Sequence, residues 1–319
     1  MDWKQGKLYK YCRDASNGKE GLAVEYAVMN PTGNITALVV SETEIGLQPA
    51  VADEIMKRHP EVEQVGFFGI FPDKRHESTH GDGEMPEQVS VNLRMAGGEF
   101  CGNASMCAGV LHYSMLESSG KQGLPWSECL QVSGTGRPVT VKVLDKEHGV
   151  YRCGVRMPAV SGIRWQSFSC PAEALSGALQ GGRTGDIAGE LLAVLMEGIT
   201  HIIIEPFSVF WQLLDNKDAA EGLIAEWCDQ LAAEGLGLMF LKKNTSGAYQ
   251  LTPLVYVPGS GTCFWEHSCA SGSAAVGMYL AENSLRDRLY EVRLQEPGGP
   301  LRVTVDPETK ETWLYGQVC

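Results

Sequence analysis

The chain carries one short pattern twice, with the two copies separated by a little over half of its 319 residues. The copies span 99–109 and 266–277, and they align residue by residue when Cys101 is superposed on Cys269. In each copy a small residue follows the cysteine and apolar residues then recur at helical spacing, which predicts a helix that begins beside the thiol. We therefore predict one site built from two related halves, each contributing one cysteine at a helix start.

The residues beside each cysteine predict a binding site for a small carboxylate. Asn103 and Ser271 are residue types that cap helix N-termini. We expect the helix dipole to lower the pKa of each thiol, and we expect the free N–H groups of the first turn to bind an anion. The residues of the two motifs that we assign to substrate binding are Gly102, Asn103, Ala270, Ser271, Gly272 and Ser273.

Two thiols on opposite sides of one α-carbon provide what the inversion of an amino acid requires. One thiolate removes the α-proton and the opposite thiol protonates the other face, whereas a single base tends to return the proton to the side it left. The helix N-termini would stabilise the charge that develops on the substrate carboxylate. We therefore assign the catalytic roles to Cys101 and Cys269, and we expect neither a metal nor another cofactor.

Other interpretations of the same residues have less support. A free cysteine is often only a small buried apolar residue, and the chain has ten cysteines. A metal site could use Cys101, Cys107, His112, His267 and Cys269, but no Cys-x-x-Cys pair or close histidine spacing typical of zinc sites is present. The duplication of the pattern favours the paired thiols.

The two motifs resemble those of the diaminopimelate epimerase superfamily, which includes proline racemases and phenazine-type isomerases. That family is marked by Cys-Gly-Asn in its first half and Cys-(Gly/Ala)-(Thr/Ser)-Gly in its second, found here at 101–103 and 269–272. Further pieces are similar to the histidine racemase branch of the family, and they span nearly the whole chain: 30–34, 63–67, 295–299 and 316–318.

The resemblance implies an α+β fold of two pseudo-symmetric domains, each a mostly antiparallel sheet curled around a central helix. The implied domains are 1–160, which carries Cys101, and 161–305, which carries Cys269. A C-terminal strand at about 306–319 returns to the first domain. Independently of the resemblance, Met157-Pro158 and Ser161-Gly162 predict a domain boundary near 156–166. The site would lie in the cleft between the domains.

The resemblance also implies a cofactor-independent racemase that converts L-histidine to D-histidine for an opine metallophore. Diaminopimelate is disfavoured as substrate, because Met106 stands where the family's arginine would fall and no Glu-Arg pair precedes Cys269. Phenazine-type isomerases lack the paired thiols. A racemase for another amino acid such as proline, a proton-shift isomerase and a non-catalytic amino-acid-binding protein remain alternatives.

Other candidate residues have both a functional and a structural interpretation. The resemblance implies that Asn34 reaches the substrate, although it is also a turn-forming residue. His201 begins a strand that lies near the site in relatives, or it is a core histidine. Glu266 and His267 could bind the α-amino group or the substrate side chain. For Glu99 we favour a structural role.

Composition limits the partners. The net charge is −13 and the basic residues are scattered, which argues against nucleic acid or an anionic membrane as a partner. The first residues are polar and apolar runs such as 201–204 are too short to span a bilayer, so we expect a cytoplasmic protein with reduced cysteines. A small amino acid is the predicted partner, and a homodimer is possible.

Hydrophobic periodicity and turn residues predict the other elements. Helices are predicted at about 50–58 and 218–234, and an exposed loop or hairpin is predicted at 73–88. The predicted strands are 37–40, 65–70, 89–95, 130–132, 139–143, 150–155, 201–204, 238–241, 251–257, 291–295, 301–305 and 312–318.

Overall fold

The computed structural model describes residues 7–12, 23–72, 89–120, 123–175, 185–284 and 289–319. In these ranges the chain forms a sheet-rich α+β fold of seventeen strands and four α-helices. The loop or hairpin predicted at 73–88 lies outside the described residues.

The first half of the chain places two helices between strands that pair in parallel. Its elements are β1 (Lys7–Cys12), β2 (Ala23–Met29), β3 (Thr36–Val39), α1 (Gln48–Arg58), β4 (Gln64–Pro72), β5 (Val89–Met95), α2 (Gly102–Ser118), β6 (Trp126–Val132), β7 (Val139–Glu147) and β8 (Val150–Arg156). Strands β3 and β4, on either side of α1, are parallel, as are β5 and β6 on either side of α2. The other neighbouring pairs, from β1–β2 to β7–β8, are antiparallel.

The second half has the same succession of pairings. Its elements are β9 (Val160–Pro171), β10 (Asp186–Met196), β11 (Ile199–Ile204), α3 (Lys217–Leu231), β12 (Leu236–Lys243), β13 (Tyr249–Val257), β14 (Thr262–Trp265), α4 (Ala270–Glu282), β15 (Tyr290–Glu296), β16 (Gly299–Val305) and β17 (Thr312–Val318). Strands β11 and β12, on either side of α3, are parallel, as are β13 and β15 on either side of α4. The remaining pairs are antiparallel.

Strand β17 joins the two halves. It pairs on one side with β16 and on the other with β8, both antiparallel. The residues after it reach the loop that follows β2, where the backbone groups of Asn30 and Cys319 exchange hydrogen bonds of 2.8 and 3.2 Å. The last strand of the chain therefore lies against the first half.

Helices α2 and α4 are the most deeply buried helices of the described chain. Residues 102–113 of α2 and 270–278 of α4 are all buried. Helix α2 packs against β3, β5–β8 and β17, and α4 packs against β9–β12 and β15–β17. Both helices are apolar or small on every side, which is the composition expected of a helix covered all around.

Strand β9 occupies much of the stretch in which we predicted a domain boundary, 156–166. It begins at Val160 and pairs with β10 along its length. Most of its side chains are at least partly exposed, including Trp165, so the strand lacks the apolar alternation that reveals strands in a sequence. We therefore predicted no strand at 160–171, whereas the predicted helices and strands listed above are confirmed within the described residues.

The described ranges contain no helix that is both long and apolar enough to cross a membrane.

We expect Gly109→Ala and Gly277→Ala each to lower the free energy of unfolding by about 1–3 kcal/mol. A Cβ at Gly109 would lie 2.5 Å from Cγ1 of Val141, and a Cβ at Gly277 would overlap with Val303 in the same way. Alanine favours the helix by only about 1 kcal/mol. Urea denaturation measures the change.

The control is Gly222→Ala on helix α3, where a Cβ meets no atom within 4 Å. This variant should be more stable by about 0.5–1 kcal/mol. A stability loss at Gly222, or none at Gly109 and Gly277, would contradict the packing described.

Candidate active site

Cys101 and Cys269 are themselves the N-cap residues of α2 and α4. The sulfur of Cys101 accepts a hydrogen bond from the backbone N–H of Ala104 at 3.3 Å, and that of Cys269 accepts one from Gly272 at 3.4 Å. Both cysteines have extended backbone, as N-cap residues do. Each thiol therefore lies directly at the positive end of a helix.

The helices begin one residue after each cysteine, so Asn103 and Ser271 lie in the first turn rather than at the cap. Our prediction that these two residues cap the helices was wrong, because the cysteine sulfurs take the capping hydrogen bonds. The Asn103 amide instead donates to the carbonyl oxygen of Ser268 at 3.0 Å.

The two helix starts meet at one cavity of about 180 Å³. A Cβ placed on Gly102 would lie only 2.8 Å from the Cβ of Ala270, so the first turns of α2 and α4 are in contact. Both cysteines line the cavity. The other predicted site residues that line it are Asn34, Gly102, Asn103, Glu266, Ala270 and Ser271.

Three predicted substrate-binding residues lie outside the cavity lining. Gly272 gives its N–H to Cys269, and the hydroxyl of Ser273 contacts Glu296. His201 is fully buried and neither ring nitrogen has a partner, and burial lowers its pKa to about 3, so the ring is neutral. Substrate binding by these residues stays a prediction that no contact in the cavity supports.

The segment before Cys269 is held by amides from the first half. The carbonyl oxygen of Ser268 accepts hydrogen bonds from Nδ2 of Asn34 at 2.7 Å and Nδ2 of Asn103 at 3.0 Å. Within the described part of the chain, the Oδ1 atoms of both asparagines are buried and have no hydrogen-bond partner. Buried acceptors are rarely left unpaired, so these oxygens are suited to a donor group of a bound ligand.

The Cys101 thiol has a fixed acceptor. It donates to Oε1 of Gln64 at 2.9 Å. Nε2 of Gln64 donates to the hydroxyl of Thr36 at 2.8 Å, and this hydroxyl donates to the backbone oxygen of Asn34 at 3.0 Å. Because the amide nitrogen is occupied, the amide oxygen of Gln64 faces the sulfur.

The cavity is acidic. Four carboxyl side chains line it, and none of its lining residues within the described ranges is a lysine, arginine or histidine. Glu63 is bound from outside by the ring and backbone N–H of His267. Oε2 of Glu99 is buried without a partner. The carboxyl residues are Asp53, Glu63, Glu99 and Glu266.

Burial controls the acidity of these groups. It raises the pKa of Cys101 to about 12, and the hydrogen bond from Ala104 offsets only part of this. Burial, with Glu266 nearby, also raises the pKa of Cys269. Our prediction of lowered thiol pKa values is therefore wrong, because the effect of burial outweighs that of the helix dipole. Burial likewise raises the pKa of Glu266 to about 8.

Sequence reasoning assigned no role to Gln64, Glu63, Ser268 or Glu296. Three of them lie in the pieces 63–67 and 295–299 on which the family resemblance rests. The resemblance therefore pointed to these segments, but it did not show which residues their side chains contact. Glu296 has a further signal, because it continues the buried alternation of β15 after Val292 and Leu294. A carboxyl at an inward position of a strand indicates a functional or structural role.

The described residues contain no group of three or more His, Cys, Asp or Glu side chains placed to hold a metal ion.

The chain is similar to known proteins along most of its length. A sequence profile described as "Histidine racemase CntK N-terminal domain" matches residues 23–315. A histidine racemase of Staphylococcus aureus strain Mu50 is 26% identical over 285 residues, which cover 88% of this chain and 88% of the relative. A histidine racemase of Fusobacterium nucleatum subsp. nucleatum is 25% identical over 306 residues, covering 92% and 94%.

Two solved structures have the same fold. A hydroxyproline epimerase of Agrobacterium vitis, with trans-4-hydroxy-L-proline bound, matches with a TM-score of 0.56 at 11% identity, covering 93% of this chain and 90% of that one. A PhzF-family phenazine biosynthesis protein of Bacillus anthracis matches with a TM-score of 0.55 at 13% identity, covering 92% and 94%.

We expect the free energy of unfolding to fall as the pH rises from about 5 to about 8. Burial raises the pKa of Glu266 and Glu296 from 4.5 to about 8. In this window the unfolded chain has released the protons that the folded chain retains, so rising pH favours unfolding. Glu266→Gln should reduce the decline by on the order of 1 kcal/mol or more.

Urea denaturation at a series of pH values measures this decline. The control is Glu226→Gln, which changes an exposed carboxyl on α3 and should leave the slope as it is. An identical decline in Glu266→Gln and in the parent would contradict the burial of this carboxyl.

Proposed function

The chain belongs to the histidine racemase CntK family, and we propose that it interconverts L- and D-histidine with Cys101 and Cys269 as the two bases. That it is an amino-acid racemase follows from the family match over most of the chain. The substrate and the catalytic groups are our proposal. The observation that carries it is that α2 and α4 both begin at one cavity with a cysteine as the cap.

The substrate carboxylate binds between the helix starts. In each first turn the N–H of the third residue is taken by the cysteine sulfur, which leaves the N–H groups of Gly102, Asn103, Ala270 and Ser271 for an anion. An α-carbon beside this carboxylate would lie between the sulfurs. The same N–H groups stabilise the charge that grows on the carboxylate as the α-proton leaves.

The α-ammonium group binds on the asparagine side of the cavity. The unpartnered Oδ1 atoms of Asn34 and Asn103 are acceptors suited to it, and Glu266 supplies negative charge. Glu266 also contacts the Cys269 thiol, so its carboxylate is placed to accept the thiol proton. Bound positive charge favours the thiolate, which offsets the effect of burial on thiol acidity.

One thiolate and one thiol then complete the inversion. With Cys269 as thiolate, it removes the α-proton from one face while the Cys101 thiol protonates the other. The hydrogen bond to Gln64 holds the Cys101 proton until this step. Reversing the two roles converts the opposite enantiomer, so each turnover exchanges the protonation states of the sulfurs.

The acidic lining supports histidine as the substrate. A neutral imidazole can donate its one N–H to Glu63 or Glu99, and a protonated imidazole can donate to both and adds a positive charge. Diaminopimelate would bring a second carboxylate into a cavity whose described lining has acidic groups and no basic side chain. An unpaired buried charge is costly, so this substrate is disfavoured.

We also propose that the halves form two pseudo-symmetric domains, 1–160 and 161–305, each built around α2 or α4. The repeated succession of strand pairings supports this division, and the pairing of β17 with β8 supports the return of residues 306–319 to the first domain.

The wider setting of the reaction is likewise a proposal. Nine cysteines are free among the described residues, which fits a reducing cytoplasm. The resemblance to the opine metallophore branch supports a role for the D-histidine product in metallophore synthesis, and the homodimer stays a prediction.

Cys101→Ser and Cys269→Ser should each reduce racemisation of L-histidine by about 10³-fold or more, because each removes one of two required proton carriers. Proton NMR in deuterated water measures deuterium incorporation at the α-carbon, and polarimetry measures racemisation. Cys129→Ser, which changes an exposed cysteine, is the control and should retain parent activity. Parent-like racemisation by either active-site variant would remove the two-base proposal.

Glu99→Gln should lower kcat/KM for L-histidine by about 10-fold or more, since it replaces an unpartnered acceptor oxygen and removes a charge beside the bound ring. Steady-state kinetics with L-histidine measures the change. The control is Glu54→Gln, since the Glu54 carboxylate pairs with Arg58 and does not line the cavity. Equal kcat/KM values for Glu99→Gln and Glu54→Gln would contradict binding of the imidazole beside Glu99.

A further inference from the structure

A buried carboxyl lies behind the second catalytic cysteine. Glu296, the last residue of β15, is 2% exposed and does not line the cavity. One carboxyl oxygen accepts the backbone N–H of Cys269 at 2.7 Å, and the other contacts the hydroxyl of Ser273. Glu296 thus binds the first turn of α4 from the side away from the ligand.

Glu296 belongs to a set of contacts that fix the whole segment before Cys269. The carbonyl oxygen of His267 accepts the N–H of Gly298, which follows Glu296 in the β15–β16 turn. The carbonyl oxygen of Ser268 is held by two asparagines of the first half. The Glu296 carboxyl accepts the N–H of Cys269, the next residue along the chain. The place of this sulfur therefore depends on Glu296.

Among the described residues, no buried carboxyl is bound to the backbone N–H of Cys101, so the two copies of the motif differ at this point. Ser105 and Ser273 occupy matching positions in the two motifs. The hydroxyl of Ser105 donates to the backbone oxygen of Cys101 at 2.7 Å, whereas the hydroxyl of Ser273 contacts the Glu296 carboxyl. Only the second thiol has a buried carboxyl bound to its own backbone among the described residues.

The charge on Glu296 acts on the Cys269 thiol. An ionised carboxyl this close disfavours a second negative charge on the sulfur. The titratable groups that the described fold places against Glu296 are Cys269 on α4 and Glu266 on the segment between β14 and α4. Both are acidic, so no cation balances an ionised Glu296.

We propose that Glu296 is a positioning residue for Cys269: it holds the backbone N–H of this cysteine and, when ionised, opposes loss of the thiol proton. The kinetic part of this inference rests on the proposed racemase function. The effect on the thiol does not, since it can be measured without substrate.

The first test is alkylation of Cys269 by iodoacetamide in a Cys101→Ser background, followed by mass spectrometry of the Cys269 peptide. Burial raises the pKa of Glu296 to about 8, so its charge is present above this pH and largely absent below pH 7. Glu296→Gln should therefore raise the alkylation rate about 10-fold above pH 8 and little below pH 7. Ser273→Ala removes a donor to the carboxylate and so raises the pKa of Glu296. In this variant the effect of the Glu296 charge on the alkylation rate should begin at a higher pH than in the parent.

The control is Glu291→Gln, an exposed carboxyl on the same strand that pairs with Arg302. Identical pH profiles for Glu296→Gln and Glu291→Gln would overturn the proposal. If Glu296→Gln does not fold, an unchanged profile in Ser273→Ala overturns it instead.

The second test uses turnover of L-histidine. Glu296→Ala should lower kcat by about 10–100-fold with little change in KM, because it leaves the Cys269 N–H unheld and the sulfur misplaced. Glu296→Gln should recover most of kcat, since its amide oxygen can accept the same N–H. Parent kcat in Glu296→Ala would overturn the positioning role. If the parent does not turn over L-histidine, the proposed function is refuted, and the alkylation result still stands.

Discussion

The contact between the starts of α2 and α4 is the constraint on which the site depends. Gly102 and Ala270 touch there, so two helix N-termini with the same partial positive charge point at one small space. Two such ends are stable together only if negative charge lies near them. Glu266 and Glu296 lie near these ends, but burial raises the pKa of each to about 8, so in the proposed function a bound substrate carboxylate supplies the negative charge. In the proposed function the two helix starts would therefore attract the substrate carboxylate before any side chain recognises it.

Burial at this contact also controls the acidity of the two thiols. A helix start usually favours thiolate, but burial here has the larger effect on the pKa of Cys101. Burial thus favours the protonated form of both thiols and of the nearby Glu266 carboxyl. In the proposed mechanism a cationic amino acid changes this balance on binding, because its ammonium group brings a positive charge that favours the thiolate.

The sequence allowed the cysteines and their helices to be predicted, because the repeat and the helical spacing are local patterns. It did not reveal that Gln64 faces Cys101 or that Glu296 binds Cys269. These contacts form between strand ends and helix starts that are 37 and 27 residues apart, respectively. Burial was also not readable, and it reversed the expected thiol acidity. Strand β9 was missed because its exposed side chains give no apolar alternation.

A repeated scaffold does not require equal chemistry at its two ends. L and D enantiomers have the same free energy in water, so unequal thiols cannot shift the equilibrium and must act through the individual steps. If Glu296 acts as proposed, the Cys101 thiol beside the neutral amide of Gln64 and the Cys269 thiol beside the carboxyl of Glu296 lose their protons under different conditions. The two directions can then differ in kcat and KM while their kcat/KM values remain equal. The asymmetry thus sets which form of the enzyme accumulates, and leaves the ratio of products to thermodynamics.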